Sequence, residues 1–213
     1  MKRPFYKRLF YFALKYILRL SFSVLFHVRV FGAENYPGQG GALICANHQS
    51  NLDPPLVGMS CPRRINYLAK KSLFKFPLGV IIRLLDAIPI ERGGMGIGGI
   101  KETLRRIKRN EIVLIFPEGA RTFDGEMLKL KPGFVTIAKR TKVPLVPVGI
   151  SGAFEVWPRG TLFPRLGVVY LVVHKPVQPE EFLEREESEV VNLMTERMTS
   201  CFNEARQRRL DTF

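Results

Sequence analysis

Short apolar runs separated by polar, Gly- and Pro-rich segments run through most of the chain. Residues 28–33 (HVRVFG) alternate in the way a half-buried strand does, and Gly41–Ala46 (GALICA) is a continuous apolar run of strand length. Residues 65–69 and 86–90 predict two more strands, with a helical stretch around Pro77–Leu85 between them. Glu111–Phe116 (EIVLIF) is the clearest buried strand. Further strands are expected at about 144–150 and 168–174. Helices are expected from Asp53-Pro54-Pro55, where Pro suits a first turn, over Gly98–Arg109, after Pro132-Gly133, and from about Pro179 to the end. Short strands alternating with helices predict an α/β fold, a mixed central sheet covered by helices.

The first 29 residues follow another pattern. Leu9–Phe26 (LFYFALKYILRLSFSVLF) is apolar but interrupted by Lys15 and Arg19, and no acidic residue precedes Glu34. Two central cations oppose a membrane span, and no small-residue cleavage site follows, as a secretory signal would need. On a helix Arg8, Lys15 and Arg19 are spaced by 7 and 4 and share one face, with Leu, Phe, Tyr and Ile over the remainder. That is the pattern of a basic amphipathic helix lying in the headgroup layer of an anionic leaflet. Packing on the domain's own core is the competing reading. We therefore divide the chain into a membrane-interface helical segment, 1–29, and a single catalytic domain, 30–213, with no linker or repeat inside it.

Composition adds two constraints. The 213 residues carry a formal charge of +14. It is uneven: residues 1–177 hold 28 Lys+Arg against 10 Asp+Glu, and the remainder 5 against 9. Such charge attracts polyanions of any kind, so it admits anionic lipid, phosphorylated substrates and nucleic acid alike. The three cysteines, Cys45, Cys61 and Cys201, are scattered and odd in number, which excludes a disulfide framework and suits a reducing compartment.

Candidate chemistry lies in two segments. In Asn47-His48-Gln49-Ser50-Asn51-Leu52-Asp53, His48 follows a strand and Asp53 opens a helix. Five positions along a regular helix turn through roughly 140°, so the pair meets only if a strand-to-helix loop folds it together. Asp53 would then fix one imidazole nitrogen and leave the other to take a proton. No protein nucleophile accompanies the pair, which suits direct activation of a substrate hydroxyl. A helix cap and turn would use the same residues. In Phe116-Pro117-Glu118-Gly119-Ala120-Arg121-Thr122 the chain leaves the EIVLIF strand at the end where open α/β sheets bind ligands. Arg121 offers a fork of donors for phosphate, Gly119 permits close backbone approach, and Glu118 is placed to organise Arg121 or hold a substrate hydroxyl. An exposed turn with a surface ion pair is the plainer alternative.

These segments resemble known motifs. NHQSNLD is similar to the first motif of the glycerolipid acyltransferases, the family that includes 1-acyl-glycerol-3-phosphate acyltransferases, and FPEGART resembles the third. Ile88-Pro89-Ile90-Glu91-Arg92 resembles the second motif and Val143–Val148 the fourth, all in family order between about residues 30 and 175. The resemblance implies a general base at His48 with Asp53 as its orienting partner. It implies an acceptor-phosphate site that includes Lys70, Arg92, Glu118, Gly119 and Arg121. Ala120 departs from the commoner Thr of the third motif. The expected reaction is transfer of a fatty-acyl group from acyl-CoA or acyl-carrier protein to the sn-2 hydroxyl of a lysophosphatidic acid, at the cytoplasmic face of a membrane. No metal or resident cofactor is expected. Alternatives are an acyltransferase for another lysolipid or an aminolipid, or a non-catalytic basic binding protein.

Other signals carry less. Gly94-Met95-Gly96-Ile97-Gly98-Gly99 matches a dinucleotide fingerprint, but Glu91 and Arg92 separate it from its strand. Gly149–Ala153 lacks the last glycine of a nucleophile elbow, and His27 and His174 have no spaced partners for zinc. Lys101–Arg109 is basic but has no recognition module beside it, so nucleic acid is not an expected partner.

Overall fold

The computed structural model describes residues 4–91 and 96–212. In chain order the elements are α1 (Phe5–Leu25), β1 (Arg29–Phe31), β2 (Ala42–Ala46), α2 (Asp53–Ser60), β3 (Ile65–Lys70), α3 (Leu78–Leu84), β4 (Ile88–Ile90), α4 (Gly96–Ile107), β5 (Ile112–Ile115), α5 (Gly133–Thr141), β6 (Leu145–Ser151), α6 (Ala153–Val156), β7 (Tyr170–Val173) and α7 (Glu187–Leu210). Seven strands form one sheet in the order β1-β7-β6-β2-β5-β3-β4. The five from β6 to β4 are parallel to their neighbours, whereas β7 runs antiparallel to β6 and β1 parallel to β7, so the sheet is mixed.

Alternation of side chains explains how both faces are covered. On β2 and β5, Ala42, Ile44, Ala46, Ile112 and Leu114 enter one core, shared with Phe22 and Phe26 of the N-terminal segment and Leu56 and Val57 of α2. Leu43, Cys45, Val113 and Ile115 enter the other, under Ile107, Phe134, Ile137, Val190, Met194 and Met198 from α4, α5 and α7. Helix α7 packs close on β6 because Gly149 has no side chain there. A β-carbon on Gly149 would lie 2.3 Å from the backbone of Cys201 and Phe202.

The C-terminal helix begins later than Pro179. Pro179–Glu181 make a single 3₁₀ turn closed by a Gln178/Glu181 capping box, and a second box, Glu186/Glu189, starts α7.

Helix α1 docks through polar atoms. Tyr11 Oη accepts from Ile65 N at 3.0 Å, Lys15 Nζ donates to the Cys61 carbonyl, and Lys7 Nζ donates to Asp86 Oδ1 at 2.5 Å. The Arg64 guanidinium lies 4.7 Å over the Tyr11 ring. The expected basic stripe is therefore divided. Arg8 and Arg19 are exposed, but Lys15 is only 9% exposed and turned into the domain, because the Cys61 carbonyl offers its ammonium an acceptor there. Burial pushes the Lys15 ammonium below the usual lysine range. The outward face is apolar: Phe5, Tyr6, Leu9, Tyr16, Ile17, Leu20 and Val24 are each between 59% and 76% exposed. Leu73, Phe76, Leu78, Val80 and Ile81, in and before α3, are exposed as well. No described helix is long and apolar enough to cross a membrane.

Candidate active site

The site lies beyond the carboxyl ends of adjacent parallel strands, where such sheets bind ligands. Register decides what meets there. Cys45 of β2 pairs with Ile115 of β5, and His48 and Glu118 each follow three residues later. The two loops therefore leave the sheet side by side at the same height. Glu118 Oε1 accepts from His48 N at 2.8 Å, and Thr122 N donates to His48 O at 2.9 Å.

His48 and Asp53 come together in the β2–α2 loop. His48 Nδ1 lies 2.7 Å from Asp53 Oδ2, and the same oxygen accepts from Gln49 N (2.6 Å) and Ser50 N (2.7 Å). Asp53 is fully buried. Burial pushes its carboxyl up from the usual range, opposed by the hydrogen bonds from His48 and the two amides. With two backbone amides already donating to Oδ2, this oxygen acts as an acceptor, and the neutral imidazole tautomer that fits it carries its proton on Nδ1 and its lone pair on Nε2. The imidazole stacks on Phe116, with centroids 4.0 Å apart and planes at 14°. Nε2 has no hydrogen-bond partner among the described residues, and the side chain is 20% exposed.

The rest of the NHQSNLD segment is used as scaffold. Asn47 pairs like a strand residue with Ile150 of β6, donating to its carbonyl at 2.9 Å and accepting from its amide at 2.7 Å. Gln49 Nε2 donates to Gly125 O at 2.7 Å, and Ser50 Oγ donates to Trp157 O at 2.8 Å. Three polar side chains thus tie the loop to three other parts of the molecule, a use that sequence spacing does not reveal.

Glu118, expected among the acceptor-phosphate contacts, is instead turned inward. It is 2% exposed, and its second oxygen accepts from Leu128 N at 3.0 Å. It makes no ion pair with Arg121. Burial raises its pKa to about 7, against the pull of the Leu128 and His48 amides, and the Asp53 charge adds to the rise. Gly119 has φ of +73° and closes a turn by donating to Phe116 O at 3.0 Å, which explains the glycine. Its N–H is thereby taken up by the turn.

The cations stand clear of carboxylates. Among the described residues, Arg121 and Lys70 make no hydrogen bond or ion pair, whereas Lys71 is paired with Glu91. Arg121 is partly exposed; burial, then the neighbouring charge of Arg159, lower its pKa, while Asp53 raises it. Lys131 Nζ hangs over Gly119, 3.0 Å from where a β-carbon would sit. Lys70 ends β3, two strands from β2 and thus roughly 10 Å across the sheet. Arg92, and with it Gly94 of the glycine-rich stretch, lies outside the described residues. Among the described residues no group of His, Cys, Asp and Glu is arranged to hold a metal.

An imidazole held by a buried carboxylate, at the carboxyl ends of parallel strands and with an unpaired arginine on the neighbouring loop, is an arrangement able to activate a hydroxyl. Comparisons with known proteins agree with that class. The family model described as Acyltransferase matches residues 27–151. The chain is 34% identical to the 1-acyl-sn-glycerol-3-phosphate acyltransferase of Bacillus subtilis (strain 168) over 90% of this chain and 92% of that one. The crystal structure of the 1-acyl-sn-glycerophosphate acyltransferase PlsC from Thermotoga maritima superposes with a TM-score of 0.81 at 28% identity, covering 94% of this chain and 80% of that one. Chloroplastic LPAT1 of Arabidopsis thaliana is 27% identical over 82% of this chain, which spans 50% of that relative's length. The chain belongs to the acyltransferase family, and within it to the PlsC-like glycerolipid acyltransferases. It is an acyltransferase enzyme.

Proposed function

We propose that the enzyme transfers a fatty-acyl group from an acyl thioester, acyl-CoA or acyl-carrier protein, to the sn-2 hydroxyl of 1-acyl-glycerol-3-phosphate, forming phosphatidic acid. The observation that carries this reading is the 2.7 Å contact of His48 Nδ1 with buried Asp53 Oδ2, which leaves Nε2 free as the base, while unpaired Arg121 adjoins Thr122, whose amide donates to His48 O. Nε2 takes the hydroxyl proton as the oxygen attacks the thioester carbonyl carbon. The C–S bond then breaks, and the imidazolium returns its proton to the departing thiolate. Asp53 stabilises the imidazolium between these steps without itself being protonated. Arg121 and Lys70 hold the acceptor phosphate, joined by Arg92 through its place in the second motif. The names of the relatives in Bacillus subtilis and Thermotoga maritima support this acceptor.

The chemistry takes place at the cytoplasmic face of a membrane, with residues 1–29 as the interfacial segment. The outward apolar face of α1, flanked by exposed Arg8 and Arg19, supports that placement, since large apolar patches mark interaction sites.

The test is acyl transfer from labelled acyl-CoA, with acyl-carrier-protein donor in parallel, to a panel of lysophospholipids in anionic mixed micelles. Transfer to lysophosphatidic acid that disappears in His48→Ala is the expected result. Transfer only to another acceptor would keep the base and move the substrate. No transfer from either donor to any acceptor by folded, micelle-bound protein would overturn the reading.

A further inference from the structure

The segment between α6 and β7 carries a cation that none of the motifs includes. Pro158–Thr161 form a turn, with Thr161 N donating to Pro158 O at 3.4 Å and Gly160 at φ of +91°. Trp157 Nε1 donates to Thr161 O at 3.0 Å, and Arg165 N donates to Val156 O at 2.7 Å, closing the loop on itself. The loop is fastened to the catalytic segment by Ser50 Oγ, which donates to Trp157 O at 2.8 Å two residues from the base. Arg159, at the turn, lies with its guanidinium 4.5 Å over the ring of Phe123, two residues beyond Arg121.

We infer that Arg159 is a second guanidinium of the acceptor site, forming with Arg121 a two-armed clamp that selects a terminal phosphate over a phosphodiester. Stacking on Phe123 occupies the flat face of Arg159 and leaves the N–H fork at its edge free. Among the described residues neither Arg121 nor Arg159 has a carboxylate partner or a hydrogen bond. Two unpaired like charges held near one another are an unfavourable arrangement that a dianion relieves. The influence of Arg159 on the ionisation of Arg121 reports the same proximity. Asp124, on the facing loop, is already used: it accepts from Thr122 Oγ1 at 2.7 Å and from Glu126 N at 3.0 Å. A phosphate monoester offers three oxygens and nearly two charges, enough for both forks; a phosphodiester offers two oxygens and one charge. The clamp therefore discriminates by headgroup and not by acyl chain.

The inference rests on the proposed acylation of lysophosphatidic acid, and the test separates the two. Wild type, Arg159→Ala and Arg159→Lys are compared on lysophosphatidic acid, lysophosphatidylglycerol and lysophosphatidylcholine with one acyl-CoA, alongside binding to phosphatidylglycerol vesicles. Arg159 is exposed, and thermal melts check that each variant is folded. Arg159→Ala is expected to raise KM for lysophosphatidic acid about tenfold, with kcat changed less than about threefold and the other two acceptors little affected. Arg159→Lys should fall between, since it keeps the charge and loses the fork. Unchanged KM in Arg159→Ala, while Arg121→Ala raises it, would overturn the clamp and leave the acylation reading intact. An equal rise for all acceptors with weaker vesicle binding would also overturn it, by assigning Arg159 to bulk anionic lipid. Wild-type protein inactive on lysophosphatidic acid would overturn both.

Discussion

The main-chain amide of His48 donates to Glu118 Oε1 across 2.8 Å, so the carboxylate of one motif holds the backbone of the base in another. With Thr122 N bound to His48 O, the base is gripped on both sides of its peptide unit by a single loop. In the proposed mechanism Glu118 is a positioning residue, one that acts on the chemistry through His48.

Glu118→Gln tests this grip. The Gln amide presents N–H₂ to one of the two donors that Glu118 accepts, leaving a buried donor unsatisfied at about 1–3 kcal/mol. We expect kcat to fall at least about tenfold with a smaller change in KM. The pH dependence has a definite sign. The rise from 4.5 to about 7 means that the native state retains this proton after the unfolded chain has lost it. Stability from this group falls as pH rises between those values, by on the order of 3 kcal/mol, and the cost is complete above about pH 7. Urea unfolding between pH 5 and 8 should show that slope in the wild type and a flatter one in Glu118→Gln. Identical slopes would contradict the assignment.

Asp53→Asn preserves the shape of the dyad and reverses its hydrogen bonding. Either the amide N–H₂ faces the Gln49 and Ser50 amides, or the imidazole adopts the other tautomer. We expect kcat to drop roughly 10²–10⁴-fold, with acceptor KM within about threefold of wild type. A variant retaining more than a tenth of wild-type kcat would show that Asp53 serves only as a structural anchor.

The outward face of α1 gives a partition measurement. Ile17 and Leu20 are 61% and 71% exposed. Replacing both with Asp should weaken vesicle binding by more than an order of magnitude, taking about 1.5–3 kcal/mol per apolar side chain moved into lipid. Turnover on monomeric, short-chain acceptor should be retained. Unaltered vesicle sedimentation would place the membrane contact elsewhere.

Lys15 is the converse case. Its ammonium is buried against a carbonyl with no carboxylate partner among the described residues, so Lys15→Met should be neutral or stabilising by about 1 kcal/mol at pH 7. Its folded pKa is depressed, so the cost of the charge is present in full below that value and fades as pH rises toward the ordinary lysine value. The gain from Lys15→Met should therefore shrink at alkaline pH. A loss of several kcal/mol at pH 7 in thermal melts would refute this account.

What could be read from the sequence followed the range of the interactions. The runs GALICA and EIVLIF became the adjacent buried strands β2 and β5, because strand burial on both faces leaves an unbroken apolar signature. The inward turn of Glu118 had no local signal: it depends on the pairing of Cys45 with Ile115, 70 positions apart. The inward turn of Lys15 was hidden for a similar reason. Helical spacing groups it with Arg8 and Arg19, and only the Cys61 carbonyl, 46 residues on, pulls it to the other side. Arg159 belongs to no motif and has no spacing to mark it, because the Ser50–Trp157 bond that fastens its loop to the site spans 107 residues. Pro179 was a true start signal, but for one 3₁₀ turn and not for the long helix.

Helix α1 fastens to the domain through Lys7, Tyr11, Lys15 and Phe22 and presents a different set of side chains outward. Attachment and display thus share no residue, and α1 can be repainted like the outer wall of a building whose beams run behind it. A version with a polar outer wall would be a detergent-free form of the same catalyst, in which lipid recognition by the site is studied apart from lipid recognition by the surface.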